Sequence, residues 1–243
     1  MQQQSDHDIV GVVGNLGPGL RVLDVAAGSG NVSLPAAKAG ATVVSTDLTP
    51  ELLQRSQARA AAQGLTLDYQ EANAQAQPFG DGEFDTVISA IGVMFAPDHQ
   101  RAAGELVRVC LSGGTIGVIS WTPEGFFGRM LAAIRPYRPS LSAAAPPATL
   151  WGRNGYIAGL LGDRIGSVVT LRGMLEVNRF DSAEAVHEYF KNHYGPMIEA
   201  YANIGDNPVL AAELESQLVE LAQQHLADGA MGWEYLLLTA LKR

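Results

Sequence analysis

Short apolar runs alternate with helical segments along the first half of the chain. A parallel strand must be followed by a crossover that returns the chain to the same end of the sheet, and that crossover is usually a helix. The alternation therefore predicts an α/β fold with helices packed on a mostly parallel sheet. The strands are predicted at residues 21–26, 41–46, 65–71, 84–89 and 115–121. The intervening helices are predicted at residues 31–39, 50–63 and 98–111.

The pattern changes after Trp121. Two further strands are predicted at 165–177 and 233–241, and residues 135–148, rich in Pro, Ala and Ser, indicate an irregular loop. Helices are predicted at 125–134 and 154–161, and in a long stretch at 182–227 that is broken around Gly195-Pro196 and Gly205 to Pro208. We expect one domain over residues 1–243, with a core at about 20–121. Elements at about 122–162 and 181–229 would form a cap over a pocket.

Composition limits the partners of the chain. The net charge is −9, with no cluster of Lys and Arg, whereas a nucleic-acid binder needs cations to displace phosphate counterions. A small-molecule substrate is therefore expected, and no nucleic acid. No apolar stretch approaches the ~20 residues of a membrane span. Residues 1–8 lack a signal core, and Cys110 is the only cysteine, which favours a reducing, cytoplasmic location.

The strongest motif is the strand and turn VLDVAAGSGN at residues 22–31. Small residues after a strand let a ligand approach the backbone at the carboxyl edge of an open sheet, and Gly28, Ser29 and Gly30 supply such a turn. Asp24 lies just before the turn, where it could orient an ammonium group directly or through water. The same segment also fits a tight turn of any doubly wound fold.

A second acid supports a nucleotide site. Asp47 ends the second strand about twenty residues after the glycines, where a carboxylate can accept both hydroxyls of a ribose. Leu48 beside it can pack on the face of an adenine. These features also fit a nicotinamide enzyme, but the turn lacks the third Gly or Ala of that fingerprint. The three lysines, Lys38, Lys191 and Lys242, do not follow a Tyr by four positions, as short-chain reductases require.

The chain resembles the class I S-adenosylmethionine-dependent methyltransferases, most closely in pattern the ubiquinone/menaquinone-biosynthesis-like group. Four segments carry the resemblance in order: VLDVAAGSGN (22–31), STDLTPELL (45–53), EANAQAQPFGDGEFDTVIS (71–89) and ELVRVCLSGGTIGVISW (105–121). The resemblance implies a Rossmann-like, doubly wound, seven-stranded and mostly parallel sheet. Its last strand would be antiparallel, and helical cap insertions would follow the core.

The resemblance also implies site residues. S-adenosyl-L-methionine would be the cofactor, S-adenosyl-L-homocysteine the product, and no metal is expected. Asn73 stands where the family usually has an acid, and its side-chain oxygen can still accept the adenine amino group. Ala74 would offer its backbone N–H to the ring. Ala26 replaces a frequent glycine, and Ser89 ends the fourth strand at the same edge.

The acceptor side of the site is less specified. His99, His193 and Tyr194 are candidates for a general base, with a surface position as the alternative for His99 and a structural role for the other two. An apolar or aromatic acceptor is favoured by residues that could equally belong to the core: Met94, Phe95, Trp121, Phe126, Phe127, Met130 and Trp151. Two other functions stay open, namely a same-fold enzyme that cyclises or decarboxylates without methyl transfer, and a non-catalytic nucleotide-cofactor binding module. About twenty residues precede the first strand, so a homodimer could complete the lid.

Overall fold

A computed structural model describes residues 16–138 and 145–243. Its strands are β1 (Arg21–Val25), β2 (Thr42–Asp47), β3 (Asp68–Glu71), β4 (Phe84–Ala90), β5 (Cys110–Trp121), β6 (Ile165–Val177), β7 (Leu226–Ala227) and β8 (Ala230–Lys242). Its α-helices are α1 (Ser33–Lys38), α2 (Pro50–Ala61), α3 (His99–Val109), α4 (Phe126–Ile134), α5 (Tyr156–Leu161), α6 (Ala183–His193), α7 (Gly195–Ile204) and α8 (Pro208–His225). The predicted α/β fold is confirmed.

Among the described residues, eight strands form one sheet: seven lie in the order β3-β2-β1-β4-β5-β8-β6, and the two-residue β7 pairs with β8. Strands β1 to β5 pair in parallel, and the sheet has an antiparallel end strand. The chain runs outward from β1 to β3 and then returns to place β4 on the other side of β1. The carboxyl ends of β1 and β4 therefore flank a topological switch point, where open α/β sheets bind ligands.

One local prediction was wrong. Residues 112–114 were expected to form a turn before the fifth strand, but β5 begins at Cys110 and runs through them. The register slips there, since Phe84 pairs with Cys110 whereas Thr86 pairs with Thr115. Gly113 has φ of 81°, and a Cβ on Gly114 would lie 2.7 Å from a backbone oxygen. The glycines thus form a β-bulge, because only glycine fits that crowded backbone.

The chain divides into two compact units, which are described separately. The first comprises residues up to 120, together with 151–171 and 236–243, and contains most of the sheet. The second comprises residues 121–150 and 172–235, within the described ranges. Residues 1–15 and 139–144 lie outside the described residues, and with them part of the predicted loop and the short segment that suggested a dimeric lid.

Helices α2 and α3 of the first unit begin where their sequence signals predict. Pro50 occupies the first turn of α2, where its missing N–H breaks no helical bond. Asp98 caps α3, because its side chain accepts the backbone N–H of Arg101 at 2.9 Å. The strands between these helices are apolar and buried, with Leu23, Phe84 and Val87 fully inaccessible. The packed core fixes the strand ends that carry the candidate site.

The second unit is mainly helical. Ser182 caps α6, and Asn207 caps α8 through its side-chain oxygen. The predicted breaks in the long helical stretch are confirmed, since α6 ends at His193, α7 begins at Gly195, and Gly205 adopts φ of 59° after α7. Tyr194 is the single residue between α6 and α7, so its position is fixed by both helices.

Candidate active site

The glycine-rich turn follows β1 in a backbone conformation that few residues adopt. Ala26, Gly28 and Gly30 have φ of 55°, 57° and 86°. A Cβ on Gly30 would collide with the side chains of Ser56 and Leu34, so the turn packs directly against α1 and α2. The left-handed residues alternate along the turn, and this arrangement brings backbone groups to the surface of the sheet edge, where a ligand can meet them.

Asp47 binds this turn from the end of β2. One carboxylate oxygen accepts the backbone N–H of Gly28 at 2.8 Å, and the other accepts the backbone N–H of Thr49 at 2.8 Å. The residue is only 7% exposed. A carboxylate oxygen has two lone pairs, so each oxygen retains one acceptor position. The side chain therefore both holds the turn and keeps the capacity to accept hydroxyl groups.

Asp24 is buried beneath the turn. Its carboxylate accepts the Ser33 hydroxyl at 2.5 Å, and Ser33 in turn accepts the Ser45 hydroxyl at 2.7 Å. The pKa of Asp24 is raised to about 7, mainly by burial and also by the nearby charge of Asp47, against the hydrogen bonds from Ser33, which lower it. The carboxyl group therefore changes charge near neutral pH and gains from a cationic partner.

Arg59 was missed by the sequence reasoning. From α2 its Nη1 donates to the backbone oxygen of Ser29 at 2.6 Å and to the side-chain oxygen of Asn31 at 2.8 Å. The guanidinium thus holds the turn at Ser29 and Asn31, whereas Asp47 holds it at Gly28. No sequence signal marks it, since an arginine on the polar face of an amphipathic helix is ordinarily solvated.

The loop after β3 is ordered by its own amides. The Asn73 side-chain oxygen accepts the backbone N–H of Gln75 at 2.9 Å, an Asx-type turn. Gln77, which the sequence reasoning also missed, is buried and donates its amide to the Asn73 carbonyl at 3.0 Å. Its side-chain oxygen accepts the Thr46 hydroxyl at 3.2 Å, so the loop is tied to β2. Ala74 lies in this held segment.

Ser89 connects the ends of two strands. Its hydroxyl donates to the Val25 carbonyl at 2.7 Å and accepts the backbone N–H of Val93 at 3.0 Å. Ile91 follows with φ of 61°, and a Cβ on Gly92 would collide with the backbone oxygen of Ala26. The ends of β1 and β4 are thus in tight contact, with Ser89 fully buried between them.

Two large apolar side chains that follow strand ends of the first unit are exposed. Leu48, after β2, is 64% exposed, and Phe95, after β4, is 40% exposed. Each follows the carboxyl end of a strand that flanks β1. Both side chains are therefore accessible to a ligand that lies at this edge of the sheet. Met94, which precedes Phe95 and is also a candidate acceptor contact, is fully buried.

His99 is buried, so its alternative reading as a surface histidine is wrong. Its Nδ1 lies 2.9 Å from the Tyr156 hydroxyl, and the ring also makes a hydrogen bond with the backbone of Met94. Burial lowers the pKa of His99, which keeps the ring neutral at pH 7. Trp151 packs edge-on against the imidazole at a centroid distance of 5.5 Å. Within the first unit, the structure therefore brings together His99, Met94 and Trp151.

The second unit collects most of the remaining candidates. Trp121 stacks on Phe127 at 4.4 Å, and Phe127 meets Phe126 and Tyr194 edge-on at 5.6 and 5.9 Å. Met130 is buried on the same helix as the two phenylalanines. His193, by contrast, is exposed, stacks on Tyr189 at 4.7 Å and bonds to its carbonyl. Burial raises the pKa of Tyr194, so its phenol stays protonated.

Within residues 16–138 and 145–243, His, Cys, Asp and Glu side chains do not gather in threes at metal-binding distance. Among the helices in those same ranges, none combines the length and apolar character needed to cross a bilayer.

Comparison with known proteins assigns the family. Residues 23–118, which contain the glycine-rich turn, Asp47 and the loop of Asn73, match the family model described as a methyltransferase domain. The chain belongs to the class I S-adenosylmethionine-dependent methyltransferases. The predicted enzyme class is thereby confirmed.

Relatives extend the similarity beyond the core. This methyltransferase is 78% identical over 228 residues to an uncharacterised protein of Mycobacterium tuberculosis strain H37Rv, covering 94% of this chain and 83% of that one. It is 40% identical over 112 residues to a demethylmenaquinone methyltransferase of Thermus thermophilus, covering 44% of this chain and 51% of that enzyme. The second similarity is confined to about half of each chain.

Solved structures share the fold. A putative methyltransferase from Bacillus halodurans C-125 aligns with a TM-score of 0.66 at 20% identity, covering 98% of this methyltransferase and 99% of that chain. The [4+2]-cyclase SpnF aligns with a TM-score of 0.60 at 20% identity, covering 99% and 82%. At such identities the similarity concerns the fold alone, which here hosts both kinds of protein.

Proposed function

We propose that this methyltransferase binds S-adenosyl-L-methionine at the carboxyl ends of β1 and β2 and transfers its methyl group to a small aromatic or quinone-like acceptor. The observation that carries the proposal is the bond between Asp47 and the backbone of Gly28. It places an acid with free acceptor positions against a left-handed glycine turn at the switch point of the sheet.

The polar ends of the cofactor would be held from this edge. Asp47 accepts the two ribose hydroxyls through its remaining lone pairs. Asp24 faces the ammonium group, and since it is 1% exposed, the contact runs through a water molecule rather than directly. The backbone of Ala26, Gly28, Ser29 and Gly30 lines the space between the two acids.

The adenine would lie between the loop of Asn73 and the side chain of Leu48. Leu48 offers an exposed apolar surface for one face of the ring. The Asn73 oxygen keeps one acceptor position beside its bond to Gln75, which suits the adenine amino group. Ala74 supplies a backbone N–H, and Ser89 supports the neighbouring strand end. Because Asn73 is uncharged, this site has one negative charge fewer than the family usually has here.

The chemistry asks little of protein side chains beyond position. When bound, S-adenosyl-L-methionine supplies an electrophilic methyl group on a sulfonium, so no metal is required. The protein must align the acceptor with that methyl group and exclude water. A general base is needed only if the acceptor has to lose a proton. For that role His99, His193 and Tyr194 remain proposals, with His99 the one that burial keeps neutral and able to accept a proton.

The acceptor class rests on two supports. Relatives named demethylmenaquinone methyltransferase match just under half of the chain, which favours a quinone-like acceptor by analogy. Independently, the candidate acceptor residues are apolar or aromatic: Met94, Phe95, Trp121, Phe126, Phe127, Met130 and Trp151.

The test is calorimetric titration of the purified protein with S-adenosylmethionine, S-adenosylhomocysteine and NAD. Micromolar binding of the first two and none of the third is expected. Preferential binding of NAD would favour the alternative function, a nucleotide-cofactor binding module. If none of the three ligands binds, the cofactor assignment is wrong. Phenolic and quinol acceptors are then screened for release of S-adenosylhomocysteine.

A second candidate function is favoured by the fold similarity to a cyclase. An enzyme of that kind would bind the cofactor and convert its substrate without consuming the methyl group. Turnover without accumulation of S-adenosylhomocysteine would identify it. Stoichiometric accumulation supports methyl transfer.

We also propose a cytoplasmic enzyme that dimerises. Light scattering at micromolar concentration is the check, and a monomeric mass would contradict the dimer.

A further inference from the structure

Three buried polar atoms in the second unit have no hydrogen-bond partner among the described residues. They are the Tyr194 hydroxyl, the Trp233 Nε1 and the His225 Nε2. Buried polar groups are nearly always bonded, so each exception needs a physical explanation. All three belong to what we term the aromatic cluster, formed by Trp121, Phe126, Phe127, Phe190, Tyr194, His225 and Trp233.

The three atoms share the same neighbouring rings. Phe127 meets Tyr194 at 5.9 Å and Trp233 at 4.9 Å, and Phe190 meets each of them at 5.8 Å. His225 meets Phe126 at 5.8 Å, and Phe126 adjoins Phe127 at 5.6 Å. Tyr194 and Trp233 thus contact the same two phenylalanines, and His225 contacts Phe126 beside them.

Within the described part of the second unit, the lack of partners is specific to this cluster. Elsewhere in that unit the His187 Nε2 and the Tyr201 hydroxyl lie 2.7 Å apart and satisfy each other. Tyr201 therefore shows what a structural tyrosine looks like in this unit. The hydroxyl of Tyr194 has the same chemistry and a covered position, yet no partner.

We propose that the aromatic cluster is a binding site for a planar aromatic ligand that carries a hydroxyl or carbonyl oxygen. The ring of the ligand stacks on the cluster, and its oxygen bonds to Tyr194 and Trp233. This assignment rests on the proposed function, because the ligand has the chemistry proposed there for the methyl acceptor.

Each residue offers a distinct part of the recognition. An indole Nε1 only donates, so Trp233 selects a ligand oxygen rather than a ligand N–H. The phenol of Tyr194 both donates and accepts, and so serves a carbonyl as well as a hydroxyl group. Both residues are half-buried, which leaves part of each ring for stacking.

Equilibrium dialysis with 2-naphthol and 2-methylnaphthalene tests the site. The two probes share one ring system and differ in the oxygen. The unaltered protein should bind 2-naphthol about tenfold more tightly, and Tyr194→Phe should reduce that preference about three- to tenfold, the effect of one hydrogen bond. Trp233→Phe should reduce it similarly. Equal binding of the probes, or no binding of 2-naphthol, would overturn the proposal.

The stability of the variants separates this role from a structural one. Tyr194→Phe should leave Tm unchanged or raise it, because it removes a group without a partner. The matched control Tyr201→Phe should lower Tm, since it strands His187, and should leave the probe preference unchanged. A large loss of Tm in Tyr194→Phe would mean that the hydroxyl is satisfied in the folded protein, against the proposal.

Titration of the same samples with S-adenosylmethionine keeps the two proposals apart. If the cofactor binds and 2-naphthol does not, the aromatic site fails alone. If neither binds, the proposed methyl transfer fails with it.

Discussion

One carboxylate oxygen of Asp47 accepts the backbone N–H of Gly28 at 2.8 Å. The bond joins the end of β2 to the turn after β1, two neighbouring strands of the parallel sheet. The acid that would bind ribose thus also holds the glycine-rich turn in place. Cofactor affinity and the shape of the turn are therefore coupled through a single side chain.

Replacement of Asp47 should weaken S-adenosylmethionine binding while leaving the fold intact. Asp47→Ala removes the ribose acceptors and is expected to cost on the order of 1.5–3 kcal/mol, since hydrogen bonds to charged groups are worth that much. Asp47→Asn should cost less, because the amide oxygen can still accept one N–H. Calorimetry gives the affinity and circular dichroism the fold.

Asp68→Ala is the control for that series, because Asp68 is an exposed acid at the start of β3. Its affinity for the cofactor should match that of the unaltered protein. An unchanged dissociation constant in Asp47→Ala would mean that the site lies elsewhere.

Loss of the Arg59 contacts should also reduce cofactor affinity. Arg59 holds the turn through the Ser29 carbonyl and the Asn31 side chain, so Arg59→Gln should loosen it. We expect about a three- to tenfold rise in the dissociation constant of S-adenosylmethionine, the worth of one or two net hydrogen bonds. Arg55→Gln, on the exposed part of the same helix, is the matched control. Equal effects of the two changes would point to overall charge instead.

The stability of the ligand-free protein should depend on pH through the titration of Asp24. Its pKa is raised to about 7 in the folded state from 3.8, so the folded state retains a proton that the unfolded state has lost. Stability therefore falls as pH rises from about 4 to about 7 and is constant above. Asp24→Asn should remove this slope and stabilise the protein at pH 8 by up to about 4 kcal/mol, at 1.36 kcal/mol per pKa unit. Urea unfolding at several pH values measures it.

The same carboxyl group should make cofactor binding depend on pH. An ammonium ligand favours the ionised form, so the affinity for S-adenosylmethionine should rise up to tenfold per pH unit below about 7 and level off above. Asp24→Asn should bind more weakly at pH 8 and lose the dependence, apart from that of the ligand itself. A variant that is more stable but retains full affinity would show that Asp24 is structural.

The sequence was sufficient to predict the elements and the cofactor edge. Strong period and cap signals, such as Pro50 and Asp98, locate the helices to within a few residues. Asp24, Gly28 and Asp47 could be found because strand-end position alone brings them to one edge of a parallel sheet. Such inferences need only the order of strands along the chain.

Other features could not be found because they depend on tertiary distance. The bond from Arg59 to Ser29 joins residues thirty positions apart, and nothing in the composition of α2 indicates it. The bulge at Gly114 was read as a turn, since glycine pairs mark both. Trp233 was assigned only to a strand, because a single indole gives no local sign of which rings it will contact.

Ala26 offers a test of how much strain the turn contains. It adopts φ of 55°, a left-handed conformation that disfavours every side chain relative to glycine. Ala26→Gly should therefore stabilise the protein by about 1 kcal/mol and raise Tm by roughly 2–4 °C for a chain of this size. Since the proposed contact uses only the backbone, S-adenosylmethionine affinity should change less than about twofold. Gly92→Ala is the opposite change, because the added Cβ would collide with the Ala26 oxygen and lower Tm. If Ala26→Gly instead lowers Tm, packing of the methyl group outweighs the strain relieved.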